Sequence, residues 1–312
     1  MFSSVARRPR AGDQLNFKGA WVQSPRLALG TAALGMEYGY GYCRGRIQDS
    51  ISFIRHAYTE GIRYFDTAGG YGDAEILLGR ALAGTTDAVI CSKFPLPQVK
   101  ATQLAASLER AVVHSLRRLK RECLPLLKLH NMTVQQTGMP GLDDALATLV
   151  HKQRVQSVGV SVYQQHEVQA SLQLDMIRTV QAPYNMLNGA IANTMLHELA
   201  SRRVAFWARS VFLQGALSEQ IHVFPKALQP LKKHILHIKS ELGCPWHMLP
   251  QIALRYCIQP GVAVILLGLR NRIELQQALA AVSQGPLPGA LRTFIIRQQC
   301  KTGCWVDPRT WP

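Results

Sequence analysis

The 312-residue sequence is short of acids, of paired cysteines and of long apolar runs. No apolar stretch approaches the ~20 residues that a membrane-spanning helix needs. The longest, "GVAVILLGL" (261–269), has the length of a buried strand, and a soluble chain is expected. No G-x-G-x-x-G follows the first strand candidate and no Walker A loop occurs, so two common glycine signatures of nucleotide binding are missing. The seven cysteines (43, 91, 123, 244, 257, 300, 304) are odd in number and sit in apolar contexts. That argues against a disulfide framework and for buried thiols in a reducing compartment. Cys300 and Cys304 form a C-x3-C, but no second pair at metal-binding spacing accompanies them, so no metal is expected.

The shortage of acids has a counterpart: 35 Lys and Arg face 19 Asp and Glu, a formal charge of +16, with a pI of about 9.9. The positive charge is clustered in "RRPR" (7–10), "RRLKR" (117–121), "RR" (202–203) and "KKHILHIK" (232–239). Solvated helix faces are the plain reading of such runs. Attraction of an anionic small substrate, an anionic membrane surface or nucleic acid is the functional one. Nucleic acid is the weaker alternative, because aromatic interleaving, zinc-finger spacing and a helix-turn-helix signal are all lacking. The start "MFSSVARRPRAG" has the Arg and Ser of a transit peptide without the apolar core of a secretory signal. Residues 1–25 are expected to form a short, flexible basic segment.

What is present is an apolar fraction of 47%, enough for a sizeable core, and a repeating pattern. Strand candidates are "RLALGTA" (26–32), "YFDTA" (64–68), "AVICSKF" (88–94), "PLLKLH" (125–130), "SVGVSVY" (157–163), "TVQAPYN" (179–185), "VAFWARSVF" (204–212) and "VAVILLG" (262–268). Most are near-continuous apolar runs, as strands covered on both faces should be. Between them lie amphipathic stretches at 48–60, 73–83, 101–122, 141–152, 191–203, 228–242 and 272–283. In 101–122, Leu104, Leu108, Val112, Leu116 and Leu119 share one helical face. In 73–83, Asp73 is placed to N-cap a helix burying Ile76, Leu77, Ala81 and Leu82.

The alternation predicts an α/β fold, a (β/α)8 TIM barrel. An open doubly wound sheet is the runner-up. An extra helix, "PWHMLPQIALRYCI", is expected before strand eight, and a tail follows the barrel. No linker divides the chain, so 26–312 is expected to be a single domain.

Chemistry in such a barrel gathers at the C-terminal ends of the strands. Read in order, those ends carry Asp66 and Tyr71, Lys93, His130, Ser161, Gln181, Arg209 with Ser210, and Gly268 with Arg270. A single histidine ending a strand is ordinarily structural, and a single lysine ordinarily reaches solvent. Asp, Tyr, Lys and His delivered to one rim are a set for proton donation by a tuned phenol. Tyrosine, with a pKa near 10, is a poor acid. An adjacent ammonium is expected to lower that value, a carboxylate to hold the lysine, and a histidine to orient a carbonyl.

Several segments together carry a resemblance. "LGTAALG" (29–35), "GIRYFDTAGGYGDAEILLGRAL" (61–82), "SKF" (92–94), "LH" (129–130), "SVGVS" (157–161) and "QAPYN" (181–185) occur in the order seen in aldo-keto reductases. "RSVFLQGAL" (209–217) and "DPRTW" (307–311) resemble a bacterial subgroup of that family. The resemblance implies a (β/α)8 barrel that reduces an aldehyde or ketone with NADPH, with NADH left open, and needs no Rossmann motif. It implies the tetrad Asp66, Tyr71, Lys93 and His130. It assigns Ser161 and Gln181 to the nicotinamide amide and the stretch Ser210 to Gly215, with Leu213, to the pyrophosphate. Gly268, Arg270, Arg272, Glu274 and Gln277 fall to the adenosine ribose and its phosphate. Three positions depart from the pattern: Val162 replaces a common Asn, Arg209 an aromatic that stacks on the nicotinamide, and Ala278 an adenine-contacting Asn. Arg209 is still expected to contact the cofactor, its planar guanidinium stacking on the nicotinamide or turning toward the pyrophosphate.

The expected partner is therefore a small carbonyl compound, sugar-like or anionic. Loops 36–47, 131–140 and 213–227 and the tail from 285 should set its identity. A nucleotide-binding redox sensor or scaffold with little turnover is the alternative. The sequon "NMT" (131–133) directly after His130 would place a glycan at the site mouth, so a cytoplasmic location is expected.

Overall fold

Near-continuous apolar strands alternating with amphipathic helices close the chain into a barrel. The computed structural model describes residues 26–40, 45–299 and 307–312. The basic start, Cys43 and the Cys300/Cys304 pair lie outside them. The strands are β1 (Arg26–Gly30), β2 (Tyr64–Asp66), β3 (Val89–Phe94), β4 (Leu124–His130), β5 (Val155–Ser161), β6 (Ile177–Pro183), β7 (Ala205–Arg209) and β8 (Val262–Leu267). They pair in parallel in sequence order, and β8 closes on β1, so this is the (β/α)8 barrel that the pattern predicts.

Period-two alternation divides the strand residues between two cores. Ala28, Tyr64, Cys91, Leu126, Trp207 and Val264 fill the lumen. Their neighbours, such as Leu29, Phe65, Ile90 and Leu127, pack outward beneath the helices. The helix Ala101–Leu119 buries Leu104, Leu108, Val112, Leu116 and Leu119, the face its spacing marks.

Several details differ from the sequence expectations. β1, β2 and β7 stop at Gly30, Asp66 and Arg209, two to three residues early, because the chain leaves the ladder there to form the rim loops. A helix at Gln165–Ser171 escapes the periodicity; it is two turns long and buries only Val168 and Ser171. The extra helix before β8 is present as Leu249–Tyr256, and the tail contains a further helix, Gly289–Arg297.

Asp73 precedes the helix Ala74–Ala81 without a side-chain cap bond. Inside that helix Glu75 is fully buried, accepting from Ser92 Oγ at 2.6 Å and facing Arg118 Nε at 3.5 Å. Arg121 donates to the carbonyls of Thr85 and Leu82. Part of the "RRLKR" run is thus absorbed in structural bonds rather than left as a free basic face.

Two glycines fix the entry to the site. A Cβ at Gly35 would meet Tyr71 O at 2.2 Å and Ala74 N at 2.5 Å, and one at Gly72 (φ +54°) would meet Gly35 O at 2.4 Å. The "LGTAALG" and "GGYG" segments interlock backbone to backbone, with Asp73 N donating to Gly35 O at 3.1 Å. That contact places Tyr71.

Candidate active site

Strand register carries the polar residues to one rim. Gly30 pairs with Asp66, Lys93 with Lys128, His130 with Ser161, and Ser161 with Gln181. All four tetrad residues line one cavity of about 640 Å³. So do Ser161, Gln181, Arg209, Ser210, Leu213, Gly215, Gly268, Arg270, Glu274 and Gln277. Arg272 does not. It stands at the start of the helix Arg272–Ser283 and lines a separate depression with Arg55 and His56.

Lys93 lies at the centre of the cluster. Its Nζ forms a short ion pair with Asp66 Oδ2 and donates to Thr67 O at 2.7 Å. It sits 5.1 Å from the centre of the Tyr71 ring. Lys93 and Asp66 are each only 2% exposed, where an ionised group persists only if paired and hydrogen-bonded. Burial opposes the charge on both, but their mutual attraction wins: the Lys93 value is raised and that of Asp66 lowered. Gln181 Nε2 completes the carboxylate's shell at 2.9 Å from Oδ1.

Tyr71 corrects one expectation. Burial raises its phenol above the ordinary value of 10.0, and the pull of Lys93 in the other direction is smaller. Tyr71 is held as a protonated phenol, a donor rather than a phenolate. His130 packs edge-on against it, ring centres 6.0 Å apart. Burial, then the positive charges of Lys93 and Arg209, push His130 down to about 4. Its imidazole is neutral near pH 7 and can donate one N–H while staying uncharged.

Sequence reasoning missed Lys128. Fully buried, its Nζ lies 3.6 Å from Asp66 Oδ1 and 3.5 Å over the Trp207 ring. Among the described residues that Nζ makes no well-formed hydrogen bond, facing, besides the ring, only the carboxylate at this distance and the Cys91 thiol. Burial lowers its value from the usual 10.5. The signal was in "PLLKLH": alternation turns 126, 128 and 130 to the same side, so a lysine between Leu126 and His130 must enter the lumen.

The opposite wall is built by β7 and the chain's end. The loop after β7 carries positive φ at Ser210 (58°), Leu213 (46°), Gln214 (53°) and Gly215 (95°). The non-glycine residues in this conformation cost roughly 1–3 kcal/mol each, a pattern that clusters at ligand-binding sites. Asn185 Nδ2 supports the loop by donating to Ser210 O at 3.1 Å. Arg209 Nη2 donates to Val162 O at 2.9 Å and Nη1 to Ser210 Oγ at 3.2 Å. The Arg209 side chain is thus tied to the backbone at Val162, through a carbonyl that any residue there would offer. Ala278, the third departure from the pattern, is buried and lines the same cavity.

Arg309 approaches from the terminal segment, where Tyr40 donates to Pro312 O at 2.5 Å and Trp311 packs on Phe224 at 5.6 Å. Toward β8, Arg270 forms an ion pair with Glu274, 2.5 Å apart.

One buried atom points to a ligand. Gln181 Oε1 has no hydrogen-bond partner, although the side chain lines the cavity and an orphaned buried acceptor is costly. An amide N–H of a bound group would satisfy it. Among the described residues no cluster of metal-ligating side chains occurs, and no helix is long and apolar enough to cross a membrane. Cys91, Cys123, Cys244 and Cys257 are free thiols.

A closed parallel barrel with a buried Asp–Lys pair beneath a tyrosine and a histidine defines a class of barrel with a polar site at its mouth. The profile of the aldo/keto reductase family matches residues 26–289. The chain belongs to that family of oxidoreductases. Among solved structures it resembles the holo form of an aldo-keto reductase from Bacillus halodurans (TM-score 0.73, 21% identity, 89% of this chain and 93% of that one). It also resembles an aldo-keto reductase from Klebsiella pneumoniae in complex with NADPH (TM-score 0.67, 22% identity, 89% and 93%). A third is the glycerol dehydrogenase of Gluconobacter oxydans (TM-score 0.67, 21% identity, 88% and 91%).

Proposed function

We propose that this protein reduces the carbonyl group of a small aldehyde or ketone to an alcohol, using NADPH. The observation that carries the reading is Tyr71 and His130 set edge-on beside the buried Lys93–Asp66 pair in one cavity. NADPH, when bound, supplies the hydride.

This chain's groups handle the proton and the position. Tyr71 Oη gives its proton to the oxygen of the carbonyl as negative charge develops there. The Lys93 ammonium stabilises the phenolate left behind, and Asp66 keeps Lys93 charged and in place. His130, neutral, donates an N–H that orients the carbonyl oxygen. A partly buried phenol held near an ammonium is a weak acid until charge appears on its acceptor, so the transfer is coupled to reduction.

The cavity residues fit the cofactor. Gln181 Oε1 is a free acceptor for the nicotinamide amide, with Ser161 beside it. The strained turn Ser210–Gly215 would hold the pyrophosphate, and Gly268, Arg270, Glu274 and Gln277 the adenosine end. Arg272, on a different surface, has no part in this assignment. A reducing, NADPH-supplied compartment such as the cytoplasm suits the chemistry and the free thiols.

The test is quenching of tryptophan fluorescence by NADPH and, separately, NADH, followed by absorbance at ~340 nm with a panel of aldehydes. Saturable NADPH binding with aldehyde-dependent oxidation is the expected result. Binding without turnover on any member would favour a nucleotide sensor. Absence of binding to either cofactor would refute the reading.

A further inference from the structure

Among the described residues four cations line the cavity, and three are neutralised in place. Lys93 pairs with Asp66, Arg270 with Glu274, and Arg309 with Asp307. Arg209 has no carboxylate within ion-pair distance among the described residues.

Its guanidinium is nonetheless rigidly placed. Two of its five N–H groups are used, on Val162 O and Ser210 Oγ. Its Cζ lies 3.8 Å from the centre of the Tyr163 ring, and Arg309 Cζ lies 3.7 Å from the same centre. Two guanidinium groups are too wide to share one face of a phenol, so the ring is clamped between them. The remaining N–H donors are pre-oriented, and a planar donor fork suits a carboxylate or phosphate.

The direction of the tether matters. Val162 follows β5, so Arg209 reaches back across β6 toward His130 and Ser161, away from the Gly268–Gln277 side. Its charge acts on both Tyr71 and His130, which puts it at the reaction end of the cavity.

We infer that Arg209 anchors a carboxylate or phosphate carried by the carbonyl substrate, making anionic aldehydes and ketones the preferred substrate class. The inference rests on the carbonyl-reduction reading and changes the assignment of Arg209 from cofactor contact to substrate contact. Asp307 acts on Arg209 only from beyond ion-pair distance, so the half-buried guanidinium keeps donors and charge for an anion that enters the cavity.

Matched probes test it: succinic semialdehyde against butanal for the carboxylate, and glyceraldehyde 3-phosphate against glyceraldehyde for the phosphate. The wild-type protein should favour the charged member of at least one pair in kcat/KM, and the pair that shows it identifies the anion. Arg209→Gln should reduce that preference on the order of 10- to 100-fold, chiefly through KM. Arg209→Lys should restore part of it, and the NADPH Kd measured by fluorescence should change in both by much less than the preference, the Ser210 bond being the side chain's only tie to the cofactor turn among the described residues. An unchanged preference in Arg209→Gln would overturn the inference, as would weakened NADPH binding with the preference intact.

Failure of the underlying reading looks different, since no aldehyde would be reduced. The anchor is then judged by binding of succinate and of inorganic phosphate to the NADPH-loaded protein. Saturation by either anion that is lost in Arg209→Gln supports the anchor. Equal binding by both proteins, or none, rejects it.

Discussion

The β2–β4 side of the cavity and the side formed by β7 and the chain's end both carry charge, but they hold it in opposite ways. In the first, Asp66, Lys93 and Lys128 are at most 2% exposed and survive through one another. In the second, Arg209 is half-buried and Arg309 exposed, and they lean on the Val162 carbonyl, an aromatic ring and Asp307. A buried charge without its partner is strongly destabilising, whereas a surface pair contributes little. The first region therefore couples activity to folding, and the second can be altered with the barrel intact.

The largest effect should come from Lys93→Met. It leaves Asp66 buried with only Gln181 and the more distant Lys128, and should cost about 3–5 kcal/mol in urea unfolding. A loss below ~1 kcal/mol would show that Lys128 takes over the pairing. Next is Gly35→Ala, whose Cβ would press on Tyr71 O at 2.2 Å. A shift of ~1 Å in Tyr71 should lower kcat by about 100-fold, while stability falls by roughly 1–3 kcal/mol. Equal activity would mean that the interlocked loops do not place the phenol.

Lys128→Met should be near neutral, within about 1 kcal/mol, because the lost amine pairs only loosely with a carboxylate that keeps Lys93, and methionine fills similar space. The two lysines should also separate by pH. Burial lowers Lys128 below 10.5, so below 10.5 the unfolded chain binds the proton that the fold disfavours. That term makes stability rise with pH between the lowered value and 10.5, and Lys128→Met should flatten the rise. Lys93 is raised above 10.5 by Asp66 against the cost of burial. Its contribution is complete below 10.5 and fades as pH climbs through the folded value. Denaturant midpoints from pH 7 upward should show the two variants departing from wild type in different windows. The smallest effect should be that of Arg309→Ala, which loses a partly exposed ion pair and a stacking contact, about 0.5–1 kcal/mol by thermal unfolding. A loss as large as that of Lys93→Met would erase the contrast between the two regions.

The sequence made one region far more legible than the other, for a physical reason. Strands of a parallel barrel are apolar runs whose ends meet at one rim, so Asp66, Lys93 and His130 could be placed together from their positions alone. Lys128 was legible in principle through alternation, yet a lysine inside an apolar run reads as a strand defect until the lumen is known to hold a carboxylate. The sign of the Tyr71 shift was missed because a sequence shows the neighbouring ammonium but not the depth of burial that outweighs it. Arg272 and Arg270 look equivalent in sequence, but the helix starting at Arg272 turns it to another surface. Arg309 depends on where a terminal segment docks, which no local pattern encodes.

The most direct test of the account is NADPH oxidation by wild type and by Tyr71→Phe at saturating cofactor with the best aldehyde. NADPH binding would be followed in both proteins by fluorescence. The account predicts equal binding and a rate lowered by roughly 100- to 10,000-fold in Tyr71→Phe, the range of a general acid. Comparable rates in the two proteins would contradict it, because the proton would then come from a group other than the phenol that the whole β2–β4 cluster surrounds.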